Sequence, residues 1–154
     1  MSLLLFRVAA CFGLVLFLAS APARAAGLVT KESAHSVAVT LDRLAALLEE
    51  NGVAVMARVD HAANAQSAGL ELRPTELLIF GDPGKGTLLM QENQAVAIDL
   101  PMKALAWQDA DGRVWLAYVS PVSIAQEHGI PGSSDTVAAM EAALGKLTDG
   151  AIAP

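Results

Sequence analysis

Cysteine is almost absent: Cys11 is the only one in 154 residues, and it sits in an apolar stretch near the start of the chain. Beyond that stretch no disulfide, thiolate metal site or thiol nucleophile can form, so stability must come from packing. Positive charge is scarce as well. Ten Lys and Arg stand against 16 Asp and Glu, a net charge of −6, and such a surface repels nucleic acid and anionic lipid. The apolar run from Val8 is 11 residues long, short of the ~20 a membrane-spanning helix needs. No Gly-x-Ser-x-Gly, paired-carboxylate or dinucleotide signature is present, and there are no repeats or low-complexity tracts.

What the first residues do have is the order of a secretory signal: Arg7, then the apolar core from Val8 to Leu18, then small residues from Ala19 to Ala26. Ala23-Arg24-Ala25 presents small residues at both positions a signal peptidase reads, so residues 1–25 are expected to be the signal, with Ala19-Ser20-Ala21 as the second choice. The product is expected to be periplasmic or secreted, with no stable membrane insertion once the signal is cut. Residues 26–154 suit one domain large enough to bury a core, and loss of Arg7 and Arg24 makes it more acidic still.

Along this domain, Leu28 to His35 reads as a strand. Val37, Leu41, Leu44 and Leu48 then recur on one helical face, with Ser36 as N-cap and Gly52 just past the end. Val53, Val55, Ala57 and Val59 alternate as in a half-buried strand ending at Asp60-His61, and a short Ala-rich helical turn follows. Thr75 to Phe80 is apolar enough for a central strand buried on both faces, stopped by Gly81 to Gly86. Thr87 to Asn93 reads as a helix with Thr87 as its cap, and Gln94 to Asp99 as a further turn. Met102 to Gln108 and Arg113 to Ser120 flank Asp109-Ala110-Asp111-Gly112, where Asp-Gly supplies the positive φ of a tight hairpin. Ser123 to His128 is a short helix, and Val137, Met140, Leu144 and Leu147 mark a last one at about 134–148. Strands and helices mix without a βαβ rhythm, so the expected class is α+β, a mostly antiparallel sheet with helices packed on it.

Taken in order, Arg58-Val59-Asp60-His61-Ala62-Ala63-Asn64-Ala65, Leu72 to Pro83, Gly86-Thr87-Leu88-Leu89-Met90, Ile98 to Lys103, the segment from Trp107 through Asp111-Gly112-Arg113-Val114-Trp115 to Tyr118, and Gln126-Glu127-His128-Gly129 resemble the family called domain of unknown function 302. The resemblance covers roughly residues 31–130. It implies a compact α+β domain that pairs as a homodimer, and it implies no particular reaction or cofactor.

The residues themselves suggest several sites. His61 beside Asp60 at a strand end is a candidate general acid/base, with Asp99, Thr87 or Tyr118 completing a pocket; a capping pair opening the next helical turn explains the same two residues. Gly81 to Thr87 could present free N–H groups to a ligand, with Gly86, Thr87 and Tyr118 as candidate ligand-binding residues, although it lacks the P-loop spacing and reads more readily as a turn. His35, His61 and His128 lack metal-ligand spacing. His128 suits a helix C-terminus, and Trp107, Trp115 and Tyr118 suit a core or a dimer face. Two functions follow: a non-catalytic homodimeric module binding a small molecule or a partner, or an enzyme using His61 with Asp99 and Thr87.

Overall fold

The computed structural model describes residues 27–132 and 134–154; the expected signal and its cut after Ala25 lie outside the described residues. Five strands, β1 (Leu28–Ser33), β2 (Ala54–Asp60), β3 (Thr75–Gly81), β4 (Met102–Gln108) and β5 (Val114–Val119), form one sheet in the order β1-β5-β4-β3-β2. Every pairing is antiparallel. Five helices accompany it: α1 (Val37–Glu50), α2 (His61–Ser67), α3 (Pro83–Glu92), α4 (Pro121–Glu127) and α5 (Asp135–Ile152), with a 3-10 turn at Gln94–Ile98. The expected α+β class is the observed one.

The stripe on α1 explains the layer. Val37, Leu41, Leu44 and Leu48 are all at most 3% exposed, and α1 packs on β2, β3, β4, β5 and α5. Burying each such side chain contributes about 1.5–3 kcal/mol. Ser36 caps α1, accepting from the Val39 amide. On the sheet, Leu78 and Phe80 of β3, Ala104 and Ala106 of β4, and Leu116 and Tyr118 of β5 face these helices in register. Small Ala104 and Ala106 let the helices approach closely. α5 ties itself to the start of the chain through polar groups: Lys31 Nζ reaches Asp149 Oδ1 at 2.6 Å and Thr148 Oγ1 at 2.7 Å, and Arg43 donates to the carbonyls of Gly150, Ala151 and Ala153.

Several local expectations are corrected. β3 is neither central nor buried on both faces: β4 holds the middle, and Leu77 and Ile79 on the other face of β3 are only half-buried, as are Leu105, Trp107 and Trp115 beside them. A register shift between Val55 and Ala57 breaks the period of β2, so Val55 pairs with Phe80 on the helix-covered face and Val59 with Leu77 on the other. α3 starts earlier than expected, because Asp82, not Thr87, is its N-cap and Pro83 supplies the first helical residue. The hairpin is as expected, Gly112 having φ +81 and Asp109 Oδ1 accepting from the amides of Asp111 and Arg113, except that β5 begins at Val114, one residue later.

Candidate functional site

The clearest concavity opens at the end of the sheet where β3 finishes and β4 begins. Its floor is core: Phe80 and Met102, with Leu48 of α1 and Leu144 and Leu147 of α5. One wall is the first turn of α3. Asp82 Oδ1 accepts from the amides of Gly84 at 2.8 Å and Lys85 at 3.4 Å, which holds that turn in place, and Gly86 brings its backbone against the cavity. Leu100 and Pro101, entering β4, form the opposite rim, and Met56 at the irregularity of β2 a third side. The cavity has a volume of about 370 Å³, within the range of small-molecule pockets.

Its chemistry is nearly all apolar. Among the described residues, Asp82, Lys85 and Thr87 are the only lining ones with a polar side chain. Asp82 is occupied by its cap, and Lys85 Nζ stands 3.7 Å from Asp82 Oδ2, so the rim carries one loose ion pair and no net charge. Such a surface can hold an apolar guest by excluding water; it offers no positioned acid and base.

A polar clasp fixes the rim. Asp99 Oδ2 lies 2.6 Å from His128 Nε2, Asn93 Nδ2 donates to the His128 carbonyl at 2.8 Å, and Lys103 Nζ donates to the Asp99 carbonyl at 3.0 Å. The segment between α3 and β4 is thereby pinned to the end of α4. His128 is thus more than a helix terminus. Its partner is 29 residues away, too far for a spacing argument to reveal.

The residues singled out in the sequence separate into three places. Gly86 and Thr87 line the pocket, and Asp99 is in the clasp beside it. Asp60 and His61 are at the other end of the sheet: Ala54 pairs with Gly81 near the pocket, whereas Asp60 pairs with Glu76, and a strand of seven residues spans about 20 Å. Asp60 is exposed and caps α2, its Oδ1 accepting from the Ala63 amide at 2.8 Å; His61 is the exposed first residue of that helix. The structure therefore does not bring His61 to Asp99 or Thr87. Tyr118 is 4% exposed in the core, its hydroxyl pushed up in pKa by burial, with Lys31 Nζ 5.7 Å from its ring centre. It does not line the pocket. Among the described residues, no three of His, Cys, Asp and Glu are grouped so as to hold a metal ion. What the sequence did not reveal is the pocket itself, because β2, α3, β4 and α5 each supply a part of its wall.

Comparison with known proteins agrees with this architecture. A crystal structure described as an uncharacterized conserved protein DUF302 from Bacillus stearothermophilus superposes with a TM-score of 0.73, covering 82% of this chain and 99% of the other at 22% identity, which shows the fold. Curated relatives share more sequence. Over 123 residues the chain is 50% identical to proteins named fluoride-specific ion channel FluC 1 in Brucella suis and in Brucella abortus, matching 79% of this chain and 48% or 46% of theirs. The chain thus spans about half the length of the curated relatives it matches. No helix among the described residues is long and apolar enough to cross a membrane. Residues 29–147 match the family described as domain of unknown function DUF302, and with most of the described fold inside that match, the chain belongs to the DUF302 family.

Proposed function

We propose that this domain is a non-catalytic binding module, periplasmic or secreted, that holds a small apolar molecule in the pocket between α3 and the Leu100-Pro101 rim. The observation that carries the reading is the pocket's composition: about 370 Å³ of nearly all apolar wall, with its one carboxylate committed to capping a helix. The His61 enzyme reading requires His61, Asp99 and Thr87 in one pocket, and the register of β2 and β3 separates them. A fluorescent probe that brightens in apolar surroundings tests the proposal. It should bind at about one per chain and be displaced or excluded by Gly86→Phe, which fills the wall. Failure to bind, or binding unaffected by that change, overturns it.

The module works as a homodimer in this reading, through the sheet face opposite the helices. Leu77, Ile79, Leu105, Trp107 and Trp115 form a half-buried apolar patch there, of the kind that marks a protein interface. Light scattering should give twice the monomer mass, and Leu105→Lys should halve it; a wild-type monomer at high concentration refutes this part alone.

A second reading is favoured by the curated relatives. Their names describe ion channels, and the part matched here is about half of each. The domain would then serve as the ligand-binding partner of a membrane channel. Fluoride flux through such a channel in vesicles, with and without this domain on the outside, tests it; identical flux counts against it.

A further inference from the structure

Methionine is sparse in this chain and unevenly placed. Apart from Met1 there are four, and Met56 on β2, Met90 on α3, Met102 on β4 and Met140 on α5 all line the one pocket. Four elements far apart in sequence therefore each contribute a thioether to the same wall. An apolar wall alone would be served as well by leucine, which exchanges with methionine at nearly constant volume and loses less rotamer freedom on burial. Sulfur adds a polarizable lone pair, the donor that soft cations prefer.

The rest of the wall narrows the choice of cation. Among the described residues it holds no histidine or cysteine and a single carboxylate, Asp82, so these supply neither the oxygen cage that Ca²⁺ requires nor the N/S set that Zn²⁺ requires. Methionine is unbranched with three rotatable bonds, so thioethers from four elements on one wall can turn toward a common guest. Access is graded. Met56 is 50% exposed at the mouth and Met102 6% exposed at the floor, which sets a route from solvent inward. The net charge of −6 raises the local concentration of any cation.

We propose that the pocket binds one soft, closed-shell monovalent cation, Cu⁺, through the thioethers of Met56, Met90, Met102 and Met140. The inference rests on the pocket as a binding site but not on its having an organic guest. Ag⁺ is the stable probe of the same chemistry, and the full chain in a Cys11→Ser background leaves no thiol to compete. Calorimetry and native mass spectrometry should show one Ag⁺ per chain, with the methionine methyl resonances shifting on titration. The variant Met56→Leu, Met90→Leu, Met102→Leu, Met140→Leu should lose at least 100-fold in Ag⁺ affinity while still taking up the apolar probe. Should the fourfold variant fail to fold, Met56→Leu and Met140→Leu singly should each weaken Ag⁺ about tenfold. The proposal is overturned if wild-type protein binds no Ag⁺, if the leucine variants bind it equally, or if excess Ca²⁺ displaces it. An apolar probe that never binds, with Ag⁺ binding intact, refutes the organic ligand alone.

Discussion

Replacing Gly86 by alanine sets stability against occupancy at one atom. Gly86 lies inside α3, and its amide donates to the Asp82 carbonyl at 2.9 Å, closing the first turn. Its φ is not in the left-handed region, and a Cβ there would find nothing nearer than Leu100 Cδ1 at 3.8 Å, an ordinary contact. Glycine in a helix costs up to about 1 kcal/mol relative to alanine, so the change should stabilise by roughly 0.5–1 kcal/mol near this helix end. In a domain of this size that corresponds to a rise in Tm of roughly 2–4 °C. The same methyl protrudes toward Leu100 across the pocket, so probe affinity should fall as stability rises, the trade-off expected where a binding site is kept open at the expense of stability. Circular dichroism melting paired with probe titration reads both. Gly84→Ala is the internal control, since its Cβ would come within 3.2 Å of Asp82 Oδ1 and should bring no gain. A lower Tm for Gly86→Ala would refute the reasoning, because it would mean that α3 does not hold Gly86 in unstrained helix beside open space.

Other outcomes follow from single contacts. Asp60→Ala should cost about 1 kcal/mol in urea denaturation by removing the α2 cap, whereas His61→Asn, at an exposed position, should stay within about 0.5 kcal/mol and leave probe binding unchanged; loss of binding in His61→Asn would revive the enzyme reading. The Asp109 carboxyl is held below the usual range, first by the Trp115 indole N–H at 2.8 Å and then by the Arg113 and Asp111 amides. With the folded pKa depressed, its stabilising effect is present above the unfolded value of about 3.9 and is lost as pH falls through the folded one. NMR titration of the Asp109 carboxyl should therefore find its midpoint below that of an ordinary aspartate, and a midpoint at or above it would contradict the hairpin geometry. Finally, mass spectrometry of the exported protein should find Ala26 as its first residue; a retained full-length chain would overturn the signal assignment.

Legibility in the sequence tracked the range of the interactions. The α1 stripe of Val37, Leu41, Leu44 and Leu48 was readable because one period of burial imposes one period of residues, and Asp111-Gly112 announced its turn locally. Gly84 and Gly86 are poor helix formers and so point to a late start for α3, but a side-chain cap from Asp82 with Pro83 overrides that weakness. The face change in β2 was hidden because a bulge leaves no residue signature where Val55, Ala57 and Val59 keep alternating. Gly86 and Thr87 line the concavity, but its other walls come from elements that only the tertiary fold assembles. The same holds for Asp99 and His128, whose contact depends on where α4 ends.

The attachments of α5 also bear on how the chain is made. Among the described residues β1 pairs only with β5, Leu28 opposite Val119, and the stripe of α1 is covered in part by a helix that begins at Asp135. β1 and α1 therefore find these partners in segments synthesised much later than themselves. β1 lacks its partner until β5 has been made, and α1 keeps an open apolar face until α5 follows and Arg43 meets the carbonyls of Gly150, Ala151 and Ala153; slow, late closure is the kinetic character expected of such non-local pairing. Closure of this domain thus waits until α5 has been made, leaving a window in which a chaperone can still hold the polypeptide extended.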